Sequence, residues 1–200
     1  MRKFALLQSA CAVLLFAGFA RAQHMDVTVG AGTLVSSKYT TSSEAYLPPS
    51  EKTGLYPSVS VDRIFKNRFG FNAEVAFRAK QGLYNGYQGY RPVFYDVNGV
   101  FAPRLGKKTS ADLMAGIGGE TVLFYTQYAN CSTLYPAGCT TNLTSNHLMG
   151  HLGGGVRYYF WHNFFVRPEA HLYLIHNDTQ FSSAYVGRVA ASVGYTFGPR

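Results

Sequence analysis

The chain has 200 residues, of which 47% are hydrophobic, 16% aromatic and only 14% charged, with 21 glycines and a formal net charge of +8. So many apolar residues need burial that a disordered chain is disfavoured, and a mean hydropathy of −0.04 argues against a helical membrane bundle built from apolar stretches of about 20 residues. The length suits one domain.

Arg2 and Lys3 precede an uncharged apolar run from Phe4 to Phe19, and Ala20-Arg21-Ala22 supplies a small-x-small cleavage pattern. This predicts a secretory signal peptide over residues 1–22, leaving 23–200 as a single folded domain. A lone anchoring helix is the rival reading, but the run is short and ends in the cleavage pattern. Losing Arg2, Lys3 and Arg21 leaves 15 basic residues against 10 acidic ones, so the mature net charge is +5. No basic stripe marks a nucleic-acid face, and no nucleic acid is expected as a partner.

Beyond residue 23 the apolar pattern has period two, and no long stripe of period 3.6 occurs. Eight strands are predicted, over 26–36, 55–63, 69–80, 92–103, 111–123, 147–160, 164–175 and 185–197. The third is the clearest: Phe69, Phe71, Ala73, Val75, Phe77 and Ala79 alternate with Gly70, Asn72, Glu74, Ala76, Arg78 and Lys80.

The two faces of these strands differ sharply. One is read as uncharged. The other carries twelve charges: Asp26, Asp62, Glu74, Arg78, Lys80, Asp96, Asp112, Glu120, Arg157, Arg167, Glu169 and Arg188. In a soluble barrel the charged face would be the wet exterior. Two features favour the inverse. Large aromatics such as Tyr158, Phe160, Phe164, Tyr195 and Phe197 stand near strand ends on the uncharged face, as an interfacial girdle would. Small residues, including Gly30, Gly70, Gly118 and Gly194, stand on the charged face, where side chains crowd a narrow lumen.

The connections alternate in length. Ile64–Arg68, Arg104–Ser110 and Trp161–Asn163 are short, while Ser37–Gly54, Gly82–Arg91, Phe124–Asn146 and His176–Ala184 are long. Short turns at one end and long loops at the other are the habit of outer-membrane barrels. Arg63, Lys66, Arg68, Arg104, Lys107, Lys108 and Arg200 fall at the short-turn end, where an anionic inner leaflet would favour them.

With its signal peptide, eight alternating strands, sorted loops and terminal Val193-Gly194-Tyr195-Thr196-Phe197, the chain resembles the small OmpA/OmpX-type outer-membrane β-barrel proteins. The resemblance implies an all-β, eight-stranded antiparallel up-and-down transmembrane barrel, exported to the outer membrane of a Gram-negative-type bacterium. It implies outer-membrane lipids, periplasmic chaperones and the barrel-insertion machinery as partners, with Tyr195 and Phe197 as the insertion signal, and a monomer.

Charges inside a narrow barrel must pair. The expected lumen network is Glu74, Arg78, Asp96, Glu120, Arg157, Arg167, Glu169, His171 and Arg188. A structural plug is its plain reading, and a narrow path for ions or small solutes is the alternative. A soluble periplasmic ligand-binding barrel is a third. Some small outer-membrane barrels modify lipid A, one kind using a His and a Ser two apart. No His-x-Ser occurs, so no catalytic residue and no enzyme activity are expected. No cofactor or metal is expected either. Cys131 and Cys139 share one polar segment of an exported chain and read as a disulfide, since no His or third Cys has metal-site spacing. The loops are rich in Tyr with Gly, Ser and Asn, a composition suited to adaptable contacts. Tyr84, Tyr87, Tyr90, Tyr128 and Tyr135 are the external contact candidates for an unknown surface ligand.

Overall fold

Residues 22–36, 51, 53–65, 67–86, 88–125, 142–177, 180–181 and 184–198 are described by a computed structural model. Its strands are β1 (Ala22–Ser36), β2 (Tyr56–Phe65), β3 (Phe69–Phe77), β4 (Gly82–Tyr84), β5 (Gln88–Phe101), β6 (Thr109–Tyr125), β7 (Asn142–Trp161), β8 (Phe164–Ile175) and β9 (Tyr185–Phe197). All pairings are antiparallel, β9 returns to β1 and β3 pairs with β5, so the sheet closes. The short β4 prolongs the line of β3 along β5: Phe77 faces Val93 and Gly82 faces Tyr90. The barrel therefore has eight walls. Closure pairs each of the eight walls on both sides, the condition for a sheet to sit in hydrocarbon; among the described strands only the short β4, at the loop end, pairs on one side alone.

The alternation sorts the walls as a membrane would. Val29, Phe71, Val97, Ile117, Leu148 and Val193 face outward and are 52–70% exposed. Asp62, Asn98, Arg157, Arg167, Glu169 and Arg188 face inward and are buried. This is the inverse of a soluble barrel and overturns that reading. The outward face is not wholly uncharged, because Arg63 takes an outward place in the alternation, opposite Phe71 and Met25. It lies within three residues of the end of β2, where a long side chain reaches the interface. Lys80 stands beyond the end of β3 and is exposed rather than inward.

Crowding explains the inward glycines. A Cβ on Gly118 would sit 2.1 Å from the Tyr95 carbonyl oxygen, and one on Gly194 would sit 2.4 Å from the Phe165 ring.

Residues 82–91, expected as a long loop, form the β4–β5 hairpin instead. Its tip holds Asn85 at φ 49° and Gly86 at φ 83°. Left-handed residues of this kind suit the twist of a tight hairpin. The strands also run past their expected ends. β6 and β7 pair from Thr109↔Tyr158 to Tyr125↔Asn142, which lengthens this hairpin beyond the expected 111–123 and 147–160. β1 begins at Ala22 and places His24 against Ile64.

Candidate functional site

Three layers fill the lumen. The first lies toward the short turns. Arg157 on β7 donates through Nε and Nη2 to Asp112 Oδ2 on β6, at 3.2 and 2.8 Å, and through Nη1 to Asp26 on β1. Arg167 on β8 donates to Asp62 Oδ2 on β2 at 2.6 Å and to Ser60 Oγ at 3.1 Å, and its Nε lies 2.7 Å from Glu169 Oε2. Planar guanidinium groups suit this work, since one Arg bonds carboxylates on several walls at once. The Arg157 guanidinium also lies 4.8 Å from the Phe165 ring centroid. Near it, Ile64, Val100, Ala102 and Met114 form a buried apolar cluster at the turn end.

The second layer is a chain of polar groups across the middle. Asn98 bonds Asp96 and Asn72, and Asn72 bonds Asp62. His151 Nδ1 lies 2.7 Å from Asn98 Oδ1, and His151 Nε2 lies 2.9 Å from His171 Nδ1. The two imidazoles stack at 5.1 Å, 16° apart. Arg188 Nη2 then meets His171 Nε2 at 3.0 Å and donates to Glu74. Ligand atoms of Glu74, Glu169 and His171 lie within 4.8 Å of one another, close enough to hold a cation. The Arg188 guanidinium already supplies the positive charge between two of them, so the set is built as an ion-pair network.

The third layer is apolar. Leu34, Tyr56, Phe94, Met149, Tyr173, Ile175 and Val186 form one buried cluster. They come from β1, β2, β5, β7, β8 and β9, six of the eight walls. Phe94 and Tyr173 stack at 4.9 Å with planes 8° apart. Above it, at the loop end, Tyr90, Val122, Phe124 and Phe181 make a second cluster against which Tyr84 packs. The Tyr84 hydroxyl donates to the Gln180 carbonyl at 2.7 Å.

The structure places Glu74, Asp96, Arg157, Arg167, Glu169, His171 and Arg188 together in the first two layers. Glu120 is buried nearer the loop end, between Phe94 and His147 in the ladder. Arg78 is separate: it is half-buried beyond β3 and donates to the Tyr90 hydroxyl at 2.7 Å. Tyr90 is corrected as an external contact candidate, because it points inward and is 4% exposed. Tyr84 is half-buried beside it. Tyr195 and Phe197 face outward near the end of β9, their rings 4.8 Å apart. Tyr87, Tyr128, Tyr135, Cys131 and Cys139 lie outside the described residues.

Asp26, Asp62, Asp112, Asn72, Asn98 and His151 were not among the expected network. Alternation had placed the aspartates on the right face, but only the stagger of the closed barrel shows which residues meet across it. A further pair runs in the reverse order of the sought His-x-Ser: Ser145 Oγ lies 3.0 Å from His147 Nε2, and Gln180 Nε2 donates to Ser145 Oγ at 2.9 Å. Both side chains take inward places in the ladder, away from the lipid-facing wall.

No family model and no curated protein matches the chain. Solved structures do. Neisserial surface protein A aligns with a TM-score of 0.59 at 10% identity, over 87% of this chain and 96% of that one. The N-terminal β-barrel domain of Pseudomonas aeruginosa OprF aligns at 0.58 and 9%, over 88% and 99%. Ail, the attachment invasion locus protein of Yersinia pestis, aligns at 0.57 and 13%, again over 88% and 99%. The chain has the fold of the small eight-stranded outer-membrane barrels.

Proposed function

We propose that the chain is a monomeric outer-membrane barrel with a structural or surface-contact role carried by its loop end. The observation that carries this reading is the sealed lumen. An apolar layer drawn from six walls stacks on a layer of ion-paired charges, and a second aromatic cluster lies at the mouth. Among the described residues this apolar layer interrupts the polar chain across the middle of the lumen, so the alternative of an ion or solute channel loses support. What remains available for function is the ends. The short turns face the periplasm and the longer connections face outward, after export by the signal peptide 1–22. Cys131 and Cys139, in one polar segment of an exported chain, form a disulfide in this reading. Insertion proceeds through periplasmic chaperones and the insertion machinery, with Tyr195 and Phe197 as the signal. Ail bears attachment in its name, which supports contact as the kind of role.

No catalytic step is part of this reading. Ser145 faces the lumen, where acyl chains do not lie.

Four readouts on one expression strain and the protein purified from it test it. The protein fractionates with the outer membrane and shows heat-modifiable gel mobility. Purified protein gives no conductance steps in planar bilayers, and regular steps would overturn the sealed lumen. Cells carrying variants shortened at 85–87 and 126–141 lose adhesion to a host-cell or glycan surface. Unchanged adhesion would reject the contact role, and a lipid A mass shift on expression would reject the non-enzymatic one.

A further inference from the structure

The short-turn end holds a cavity of about 480 Å³. Arg68, Arg104, Lys107 and Lys108 line it, together with His24 and His162, and no carboxylate is among its described lining residues. The four cations are exposed on their turns. Their backbones are not loose. The Ala102 N–H donates to the Arg68 carbonyl at 2.8 Å, which ties the β2–β3 turn to the end of β5. The Tyr159 N–H donates to the Lys108 carbonyl at 2.9 Å, which ties the β5–β6 turn to β7. That turn is closed by Leu105 and Gly106 N–H groups on the Thr109 carbonyl, at 2.9 and 3.0 Å. Arg104 bridges to Ser110 across it.

The floor is an ion-paired guanidinium, so the positive charge of the cavity comes from the four turn cations. Buried Arg157 lines it, while Asp26 and Asp112, which Arg157 bonds, are buried and are not among the described lining residues. Ile64, Ala102 and Phe160 supply apolar wall, which strengthens charge interactions inside. Thr109 and Ser110 add hydroxyl donors. Convergent cations in a concave site focus field on an anion. Guanidinium forks and hydroxyls match the several oxygens of a phosphate better than a single carboxylate charge does. A phosphate group, carrying one charge as a diester and close to two as a monoester, answers these cations.

The geometry points to an oxyanion-binding site for a phosphate group at the turn end of the barrel, built on the β2–β3 and β5–β6 turns, each tied by a backbone hydrogen bond to a neighbouring strand end. The phosphate comes either from an anionic phospholipid headgroup, which reaches the cavity past Phe160 at its wall, or from a phosphorylated solute. The site stands independently of any role at the loop end.

Equilibrium dialysis of radiolabelled pyrophosphate against the protein in phosphatidylcholine nanodiscs tests it. Binding is saturable, and R104Q/K107Q/K108Q weakens it at least tenfold. K80Q/R91Q, which removes charge at the opposite end, changes it less than twofold. Repeating the titration in phosphatidylglycerol nanodiscs separates the sources. A severalfold loss of apparent affinity in the wild type, absent in the triple variant, marks the headgroup as the natural ligand, and equal affinity marks a solute. Non-saturable binding, or a triple variant that binds like the wild type, would overturn the site.

Discussion

Arg157 holds together acids from three other walls. It bonds Asp26 and Asp112, and its Nη2 lies 3.4 Å from Asp62. Removing one partner from a buried set leaves the others charged and unpaired, which costs about 3–5 kcal/mol. Arg157→Met is therefore expected to lower stability in lipid by that amount, read from urea unfolding followed by gel mobility. Adding D112N to it is expected to recover part of the loss, because one stranded charge disappears. A loss under about 1 kcal/mol for Arg157→Met, the range of a surface pair, would contradict the network. At this scale the sequence is a partial guide. It puts Asp26 and Arg157 on the same kind of face, yet they are 131 residues apart and on walls that do not neighbour each other. Strand alternation says which way a side chain points. It is silent on the stagger that sets heights in the lumen, so Asp26, Asp62 and Asp112 were left out of the expected cluster while Arg78, which sits at the mouth, was included.

Along the strands, period two was the readable signal, and the order and number of walls followed from it. The ends were harder. The β4–β5 hairpin was read as a loop because Gly82 to Arg91 is rich in Gly and Tyr, although Asn85-Gly86 is itself a hairpin turn signature. Phe124, Leu143 and Ser145 continue the pairing of β6 and β7, but polar residues between them mask the alternation there. The outward face can be probed at the centre of β9, where Val193 stands between Val29 and Val166. Val193→Arg places a charge at mid-height in hydrocarbon and is expected to cost about 2–4 kcal/mol, while the same change at Phe197, near the strand end, costs about 0–1. Equal costs at the two positions, measured by equilibrium folding into phosphocholine bilayers, would mean that β9 does not cross a membrane in this register.

For the molecule as a whole, near-zero mean hydropathy is the average of two opposed surfaces. A barrel of eight walls is just wide enough for its own side chains to fill it, and here two charged and polar layers lie between apolar clusters toward either end. That filling was legible only as crowding, through the inward glycines. The apolar seal of Phe94, Tyr173 and their neighbours was not, since those residues sit on the face that also carries the charges. The basic balance likewise gathers at one end, on turns whose hydrogen bonds to neighbouring strand ends no local pattern reveals. The central claim is that the apolar face meets lipid and the charged face lines the interior. It is tested most directly by two single-cysteine variants, S192C and V193C, in a background with Cys131 and Cys139 replaced by serine, each labelled with a fluorophore and reconstituted with brominated lipids. Ser192 is buried and Val193 is 52% exposed on the same strand. Strong quenching at position 193 with little at 192 is the expected result, and quenching that is equal at both sites, or reversed, would contradict the inverted barrel.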